Sequence, residues 1–199
     1  MKNIFLLLTL ALTLYCCKNE TAVEAQDLIT SFSNDTIYTE SGKNYAIKGL
    51  KDSTTTVLFL VRHAEKDLKG GDDPNLTDIG RKRAEKLAAL MKNVRLDYIG
   101  STSTIRTKET VQNTAVQNNI PIGFYNQDGQ SESIVGFFKG NYKGKKGLIV
   151  GHSNSIPGIL NGFVSKDDQY KEIPENDYSR FYVISYVSDG QIEVLNLNY

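Results

Sequence analysis

Two short apolar runs constrain the fold of this chain more than any other feature of its sequence. Residues 57–61 read Val-Leu-Phe-Leu-Val, and residues 148–150 read Leu-Ile-Val. A strand with one face in water alternates apolar and polar residues, whereas a strand covered on both faces is apolar throughout. Both runs therefore predict strands in the middle layer of an α/β domain.

Helical patterns follow these strands. Thr77 has the character of an N-cap, and apolar residues recur after it at helical spacing, namely Ile79, Ala84, Leu87, Ala88 and Met91. Residues 105–116 predict a second, amphipathic helix, and residues 156–160 predict a short third one. Alternation of strands and helices predicts a three-layer α/β/α domain with a mostly parallel central sheet.

Other segments predict shorter strands. Residues 98–99 predict a short strand, and residues 181–187 and 191–197 flank an Asp189-Gly190 pair that is a strong hairpin signal. Residues 18–35 are polar with little periodicity and predict a tether or a loosely packed arm. Residues 36–38 and 45–47 predict a hairpin that could lie at the edge of the sheet.

The first residues have the pattern of an export signal. Lys2 supplies a positive start, and residues 4–15 form a leucine-rich stretch that is shorter than the roughly 20 residues of a membrane span. Both cysteines follow it. Either the signal is cleaved together with them, or Leu14 and Cys16 belong to a lipobox and Cys17 is lipidated. We favour the lipoprotein, which places the mature chain in a bacterial cell envelope, facing the periplasm or on the surface.

Composition limits the partners of the mature chain. The formal net charge is zero, so no long-range field attracts nucleic acid or an anionic membrane. We therefore expect no nucleic-acid partner, and membrane attachment only through the N-terminal lipid. Cleavage at Cys17 leaves a domain without cysteine, so neither disulfides nor thiolate metal ligands can contribute to it.

The two histidines of the chain each follow one of the apolar runs. Arg62 and His63 come directly after the first run, and Gly151 and His152 come directly after the second. Ligands of open α/β sheets bind outside the carboxyl ends of the strands. We therefore expect both imidazoles to reach the same end of the sheet.

Four segments resemble, in order, the motifs of the histidine phosphatase superfamily, whose fold is phosphoglycerate-mutase-like. They read VRHAE at 61–65, LTDIG at 76–80, STSTIRT at 101–107 and VGHSN at 150–154. The resemblance extends over residues 56–187 and is nearest to the short phosphohistidine phosphatase branch. It implies a metal-independent phosphatase without a cofactor, and it divides the chain into a signal (1–17), a tether with the edge hairpin (18–50) and a histidine phosphatase domain (51–199).

Charge and hydrogen-bonding chemistry assign roles to individual residues of these motifs. Arg62 and Arg106 carry planar, permanently charged forks that suit a phosphoryl group, and a protonated His152 adds a third donor. Arg106 also lies near a predicted helix start, where free N–H groups favour an anion. His63 must be neutral to attack phosphorus, and we expect its other nitrogen to donate to a backbone carbonyl.

The group that protonates the leaving oxygen is less evident from the sequence. A carboxylic acid with a raised pKa should stand near the site. Glu132 is our first candidate because it precedes an apolar stretch at 134–138 that could hold it against the pocket. Glu65 is the alternative, and Asp67 and Asp128 are further candidates.

Two other readings compete with the phosphatase. A zinc ion could bind both histidines together with Glu65 or Asp67, although two adjacent arginines would repel the cation. A catalytically idle, lipid-anchored module could instead keep the anion pocket without an acid and bind phosphorylated ligands. The favoured prediction is a phosphatase with a phosphohistidine intermediate on His63, acting on a small-molecule or glycan phosphomonoester such as an envelope sugar phosphate.

Overall fold

A computed structural model describes residues 24–126, 131–187 and 190–199. These residues form nine strands: β1 (Glu24–Ser33), β2 (Thr36–Thr39), β3 (Asn44–Ala46), β4 (Thr55–Arg62), β5 (Tyr98–Ser101), β6 (Ile122–Phe124), β7 (Lys146–Gly151), β8 (Arg180–Val187) and β9 (Ile192–Asn198). They also form four α-helices: α1 (Asp78–Met91), α2 (Ile105–Asn118), α3 (Ser131–Lys139) and α4 (Ser155–Asn161). A short 3-10 helix at Lys166–Asp168 follows α4.

The described strands form one mixed sheet in the order β3-β2-β1-β9-β8-β4-β7-β5-β6. The four strands β4, β7, β5 and β6 run parallel to one another. On the other side of β4, strands β8 and β9 pair antiparallel, as do β1, β2 and β3. The predicted α/β class is confirmed, and the sheet is parallel where the two histidines lie.

Helices cover both faces of the sheet, as the uniformly apolar strands predict. On one face, Leu87 of α1 and Val111 of α2 pack in one core with Phe59. On the other, Phe138 of α3 and Ile159 of α4 pack in a second core, against apolar side chains that alternate with Phe59 along β4. All eight residues of β4 are buried, so the strand has no wet face and needs no polar alternation.

The predicted helix starts and ends are close to those observed. Thr77 caps α1, since its hydroxyl accepts a hydrogen bond from the N–H of Gly80 at 3.1 Å. Predicted helices at 105–116 and 156–160 correspond to α2 and α4. Helix α3 and strand β6 were not predicted, because each is short.

The tether prediction is wrong for residues 24–33, which form β1 within the sheet. Strand β1 pairs antiparallel with β2 and parallel with β9. Ile29 and Phe32 are buried in the first core, and these two side chains are enough to anchor an otherwise polar segment. The predicted edge hairpin is present, with β3 at the edge of the sheet.

Several predictions concern residues outside those described. The signal at 1–17 with Cys16 and Cys17, Asp128, and Asp189 of the β8–β9 turn belong to this group. The strands on both sides of that turn pair antiparallel, as the hairpin prediction requires. Within residues 24–126, 131–187 and 190–199, no helix has the length and apolar character needed to span a membrane.

Candidate active site

The structure brings Arg62, His63, Arg106 and His152 into one cavity. His63 follows β4 and His152 follows β7, and these neighbouring parallel strands end side by side, with Arg62 opposite Gly151. The centroids of the two imidazole rings are 5.4 Å apart. Residues distant in the chain therefore meet at the carboxyl edge of the sheet, as the topology predicts.

Hydrogen bonds to the backbone fix the position and tautomer of His63. The backbone N–H of His63 donates to the carbonyl of Gly151 at 2.9 Å, and the ring atom Nδ1 lies 2.8 Å from the carbonyl of Ala64. Because a carbonyl can only accept, Nδ1 carries the proton and Nε2 keeps its lone pair. Burial lowers the pKa of His63 to about 3, so the ring is neutral at pH 7.

His152 is held through its other nitrogen. Its Nε2 lies 2.9 Å from the hydroxyl of Thr102, which lies 2.9 Å from the hydroxyl of Thr107. Thr107 donates its proton to a backbone carbonyl, so Thr102 can donate to Thr107 and accept from Nε2–H of His152. The Nδ1 atom then lies 3.4 Å from Nη2 of Arg106. Burial lowers the pKa of His152 to about 4.

Arg62 is buried, with 1% of its surface exposed, and it anchors the segment that crosses the cavity before β8. Its Nη1 donates to three backbone carbonyls, those of Pro174 (2.8 Å), Glu175 (3.0 Å) and Asp177 (3.1 Å). Its guanidinium carbon also lies 4.5 Å from the centroid of the Tyr178 ring. Arg62 therefore has a structural role in addition to any role in binding phosphate.

Arg106 is the second residue of α2. Free N–H groups were predicted at this helix start, but the carboxylate of Asp73 accepts a hydrogen bond from the N–H of Ile105 at 2.9 Å. The same Oδ1 atom lies 3.3 Å from Nη1 of Arg106. The protein thus supplies its own anion to the helix start, which a positive helix end favours.

Thr110 links α2 to the loop after β4. Its hydroxyl donates to the carbonyl of Arg106 at 2.7 Å and accepts from the N–H of Ala64 at 2.9 Å. Gly80 allows α1 to approach the same loop closely, since a Cβ there would lie 2.3 Å from the carbonyl oxygen of Glu65. The chain beside His63 is thus packed against both α1 and α2.

The shared cavity has a volume of about 230 Å³ and a polar lining. Its lining residues are Arg62, His63, Lys66, Arg106, His152, Ser153, Asn154, Glu172 and Glu175. The Nε atoms of Arg62 and Arg106 are buried and have no hydrogen-bond partner among the described residues. Buried donors rarely remain unpaired, so the two guanidinium groups fit an anion with several oxygens.

The predicted acids do not line this cavity. Glu65 is bound through both carboxylate oxygens to Arg83, at 2.7–3.0 Å. Burial raises the pKa of Glu65, but the Arg83 hydrogen bonds and charge outweigh it and the net shift is downward. Glu132 lies in the first turn of α3, is exposed, and is not among the residues that line the cavity, because the apolar side chains after it pack into the second core. The assignment of Glu132 or Glu65 as the acid is therefore corrected.

The carboxyl groups at the cavity are instead Glu172 and Glu175, from a segment without any motif. Asn154 and Lys66 also line the cavity. The carboxylates of Glu65 and Asp67 do not join the histidines as a zinc site would require. Among the described residues, no three histidine or carboxylate side chains form a group suited to a metal ion.

Comparison with known proteins finds a family that part of this chain resembles. A model of the histidine phosphatase superfamily (branch 1) matches residues 58–127, which include the first three motifs. The match supports the predicted enzyme class, a histidine phosphatase that hydrolyses phosphoric monoesters. No curated protein matches the chain in sequence.

Solved structures of other proteins share the fold of this chain. The protein histidine phosphatase SixA, solved with tungstate, is 14% identical, with a TM-score of 0.60 over 71% of this chain and 96% of its own. YhfR of Bacillus stearothermophilus is 19% identical, with a TM-score of 0.56 over 71% and 96%. A phosphoserine phosphatase from Entamoeba histolytica, solved with 3-phosphoglyceric acid, is 17% identical, with a TM-score of 0.56 over 72% and 97%. The phosphoglycerate-mutase-like fold is thus confirmed.

Proposed function

We propose that this protein hydrolyses a phosphomonoester through a phosphohistidine formed on Nε2 of His63. The observation that carries the proposal is the hydrogen bond from Nδ1 to the Ala64 carbonyl, which leaves the Nε2 lone pair free inside the cavity. Arg62 and Arg106 line the same cavity with buried, unpaired Nε–H groups. The site therefore combines a neutral nucleophile with permanent positive charge.

The reaction has two steps. Nε2 of His63 attacks phosphorus, a new N–P bond forms, and the bond to the leaving oxygen breaks. Water then attacks the phosphohistidine, and inorganic phosphate leaves with Nε2 restored. Arg62 and Arg106 stabilise the charge that spreads over the phosphoryl oxygens. A bound dianion also favours protonation of His152, which then donates from Nδ1.

The size of the cavity supports the proposed substrate class. A volume of about 230 Å³ is below the roughly 300–1,000 Å³ of common ligand pockets, so the cavity suits a phosphoryl group with the leaving group outside. We propose a small-molecule phosphomonoester or a phosphorylated glycan, such as an envelope sugar phosphate. Small phosphorylated compounds are also named for the Entamoeba histolytica phosphoserine phosphatase of similar fold.

Attachment through Cys17 is the second part of the proposal. It rests on the leucine-rich stretch and the position of Leu14 and Cys17 in the sequence. Cells expressing the full chain should incorporate labelled fatty acid into it. Cys17→Ser should lose this label, while Cys16→Ser should keep it, because only the residue at the cleavage site is modified. Equal labelling of both variants would contradict the lipid anchor at Cys17.

The activity is tested with a chain that begins after the apolar N-terminal stretch. It should release phosphate from p-nitrophenyl phosphate and form an acid-labile phosphoenzyme with labelled substrate, and His63→Ala should do neither. Full activity of His63→Ala would refute the mechanism. Binding of phosphate without any phosphoenzyme in the unaltered chain would instead favour the idle binding module.

A further inference from the structure

Two carboxyl groups among the cavity residues have no role in the mechanism above. They belong to Glu172 and Glu175, in the segment that crosses the cavity between the 3-10 helix and β8. An alkoxide leaves poorly unless a proton reaches it, so a carboxyl group at this place has a chemical use. The contacts of Glu175 distinguish it from Glu172.

Glu175 contacts the groups that surround the phosphate position. Its Oε2 lies 2.9 Å from Nη2 of Arg62 and 3.9 Å from Nζ of Lys66. Its Oε1 accepts a hydrogen bond of 2.7 Å from the hydroxyl of Ser153, the neighbour of His152. A phosphate oxygen bound by Arg62 would therefore lie next to the Glu175 carboxyl group.

Glu172 has no comparable contact. It is exposed, and within the described part of the chain no hydrogen bond or ion pair is found for its carboxylate. Glu175 is fixed at the guanidinium of Arg62, whereas Glu172 only borders the cavity. Of the two carboxyl groups, Glu175 has the position suited to a proton donor.

The nucleophile and Glu175 lie at different depths. His63 is 2% exposed, whereas the side chain of Glu175 is 70% exposed. In phosphoryl transfer the attacking atom and the leaving oxygen lie roughly in line on opposite sides of phosphorus. Attack by His63 from the buried end therefore directs the leaving oxygen toward the open end, where Glu175 lies.

We propose that Glu175 is the general acid and base of the reaction, an inference that rests on the function proposed above. In the first step its carboxyl proton passes to the leaving oxygen as the P–O bond breaks and the bond from His63 Nε2 to phosphorus forms. In the second step the Glu175 carboxylate takes a proton from water as the new P–O bond forms and the N–P bond breaks. The protonated Glu175 is thereby regenerated.

Substrate binding itself prepares the acid. In the empty cavity the hydrogen bond from Ser153, together with the charges of Arg62 and Lys66, lowers the pKa of Glu175 despite some burial. A bound phosphate takes the Arg62 donor and adds negative charge beside the carboxylate. Both changes favour the protonated form, so a proton is taken up with the substrate.

The test compares two substrates that differ in their need for an acid. p-Nitrophenolate leaves without a proton, whereas the alkoxide of glycerol 2-phosphate does not. Glu175→Gln should reduce kcat/KM for glycerol 2-phosphate by about 100-fold or more and for p-nitrophenyl phosphate by less than about tenfold. Because hydrolysis of the phosphoenzyme also lacks its base, Glu175→Gln should release p-nitrophenol in a burst of about one equivalent per enzyme.

Glu132→Gln is the matched control, since Glu132 is an exposed glutamate outside the cavity, and it should match the unaltered protein on both substrates. A second variant, Glu175→Ala, should regain activity on glycerol 2-phosphate when formate is added. Equal losses on both substrates, no loss on either, or a selective loss in Glu172→Gln instead would each overturn the assignment. If the unaltered protein hydrolyses neither substrate, the proposed function fails rather than this inference.

Discussion

The loops after β4 and β7 each present one histidine to the same cavity, yet they hold the ring by opposite nitrogens. Nδ1 of His63 donates to the backbone carbonyl of Ala64, which leaves Nε2 as an acceptor. Nε2 of His152 is bound by the hydroxyl of Thr102, which leaves Nδ1 facing Arg106. Both rings are buried imidazoles, so the hydrogen-bond partner is what separates the proposed nucleophile from the ring proposed to donate a hydrogen bond to phosphate.

The largest expected effects come from replacing each histidine in turn, which tests whether the two rings have separate roles. His63→Asn should lower kcat/KM for p-nitrophenyl phosphate by roughly 10⁴-fold or more and should give no phosphoenzyme, because the attacking atom is gone. His152→Asn should lose about 10²–10³-fold and should still be phosphorylated, because one charge-stabilising donor is lost. Labelled phosphoenzyme after acid-free quenching measures the difference. Equal labelling in both variants would show that the two rings do not have separate roles.

The two arginines are expected to contribute equally to catalysis but unequally to the stability of the fold. Arg62→Met and Arg106→Met should each reduce kcat/KM by about 100-fold, because each removes a donor to the phosphoryl oxygens. Arg62→Met should also lower the free energy of unfolding by about 3 kcal/mol, since three backbone carbonyls lose their donor. Arg106→Met should cost about 1 kcal/mol or less, because its ion pair with Asp73 is weak.

Urea unfolding of the two arginine variants provides the measurement, and inorganic phosphate provides a second one. The unaltered protein should be stabilised by phosphate, and neither variant should respond to it as strongly. If Arg62→Met were as stable as Arg106→Met, the segment before β8 would not depend on Arg62 as its contacts indicate.

The hydroxyl of Thr102 is the feature that distinguishes His152 from His63, so its removal is a smaller but more specific test. Thr102→Val should reduce kcat/KM by about tenfold, since Nε2 of His152 loses its acceptor and the ring can turn or change tautomer. Thr114→Val in α2 is the control, because the buried Thr114 hydroxyl has no partner among the described residues. It should keep full activity and equal or greater stability. A similar loss of activity in both variants would contradict a specific role for Thr102.

The sequence predicted those parts of the site that local chemistry determines. Val57 to His63 could be read as a doubly buried strand with a histidine at its carboxyl end, and the same reading applied to His152. Parallel strand ends then required the rings to meet. The role of Thr110 was not accessible, because its contact with Ala64 depends on the packing of α2 against the loop after β4.

The sequence did not predict Glu175, since neither motif nor spacing distinguishes it from other surface carboxylates. Its position depends on three backbone carbonyls that wrap around a buried arginine 112 to 115 residues away in the chain. Glu132 was chosen for its apolar neighbours, but those side chains face the second core. Likewise β1 was missed because only Ile29 and Phe32 reveal its buried face.

The last expected effect concerns pH and follows from the burial that both rings share. An unfolded histidine has a pKa near 6.5, whereas folding lowers the pKa of His63 to about 3 and that of His152 to about 4. Below pH 6.5 the unfolded chain therefore binds protons that the folded protein does not, and the free energy of unfolding should fall as pH decreases toward 4.

For His63 alone this loss should be on the order of 1–3 kcal/mol between pH 7 and pH 4. Urea unfolding of the unaltered protein and of His63→Asn across this range isolates it, because the variant cannot take up the proton at this position. The unaltered protein should lose more stability than His63→Asn as the pH falls. Parallel pH profiles would mean that His63 titrates normally in the folded protein, and burial would then not keep a neutral ring in the cavity.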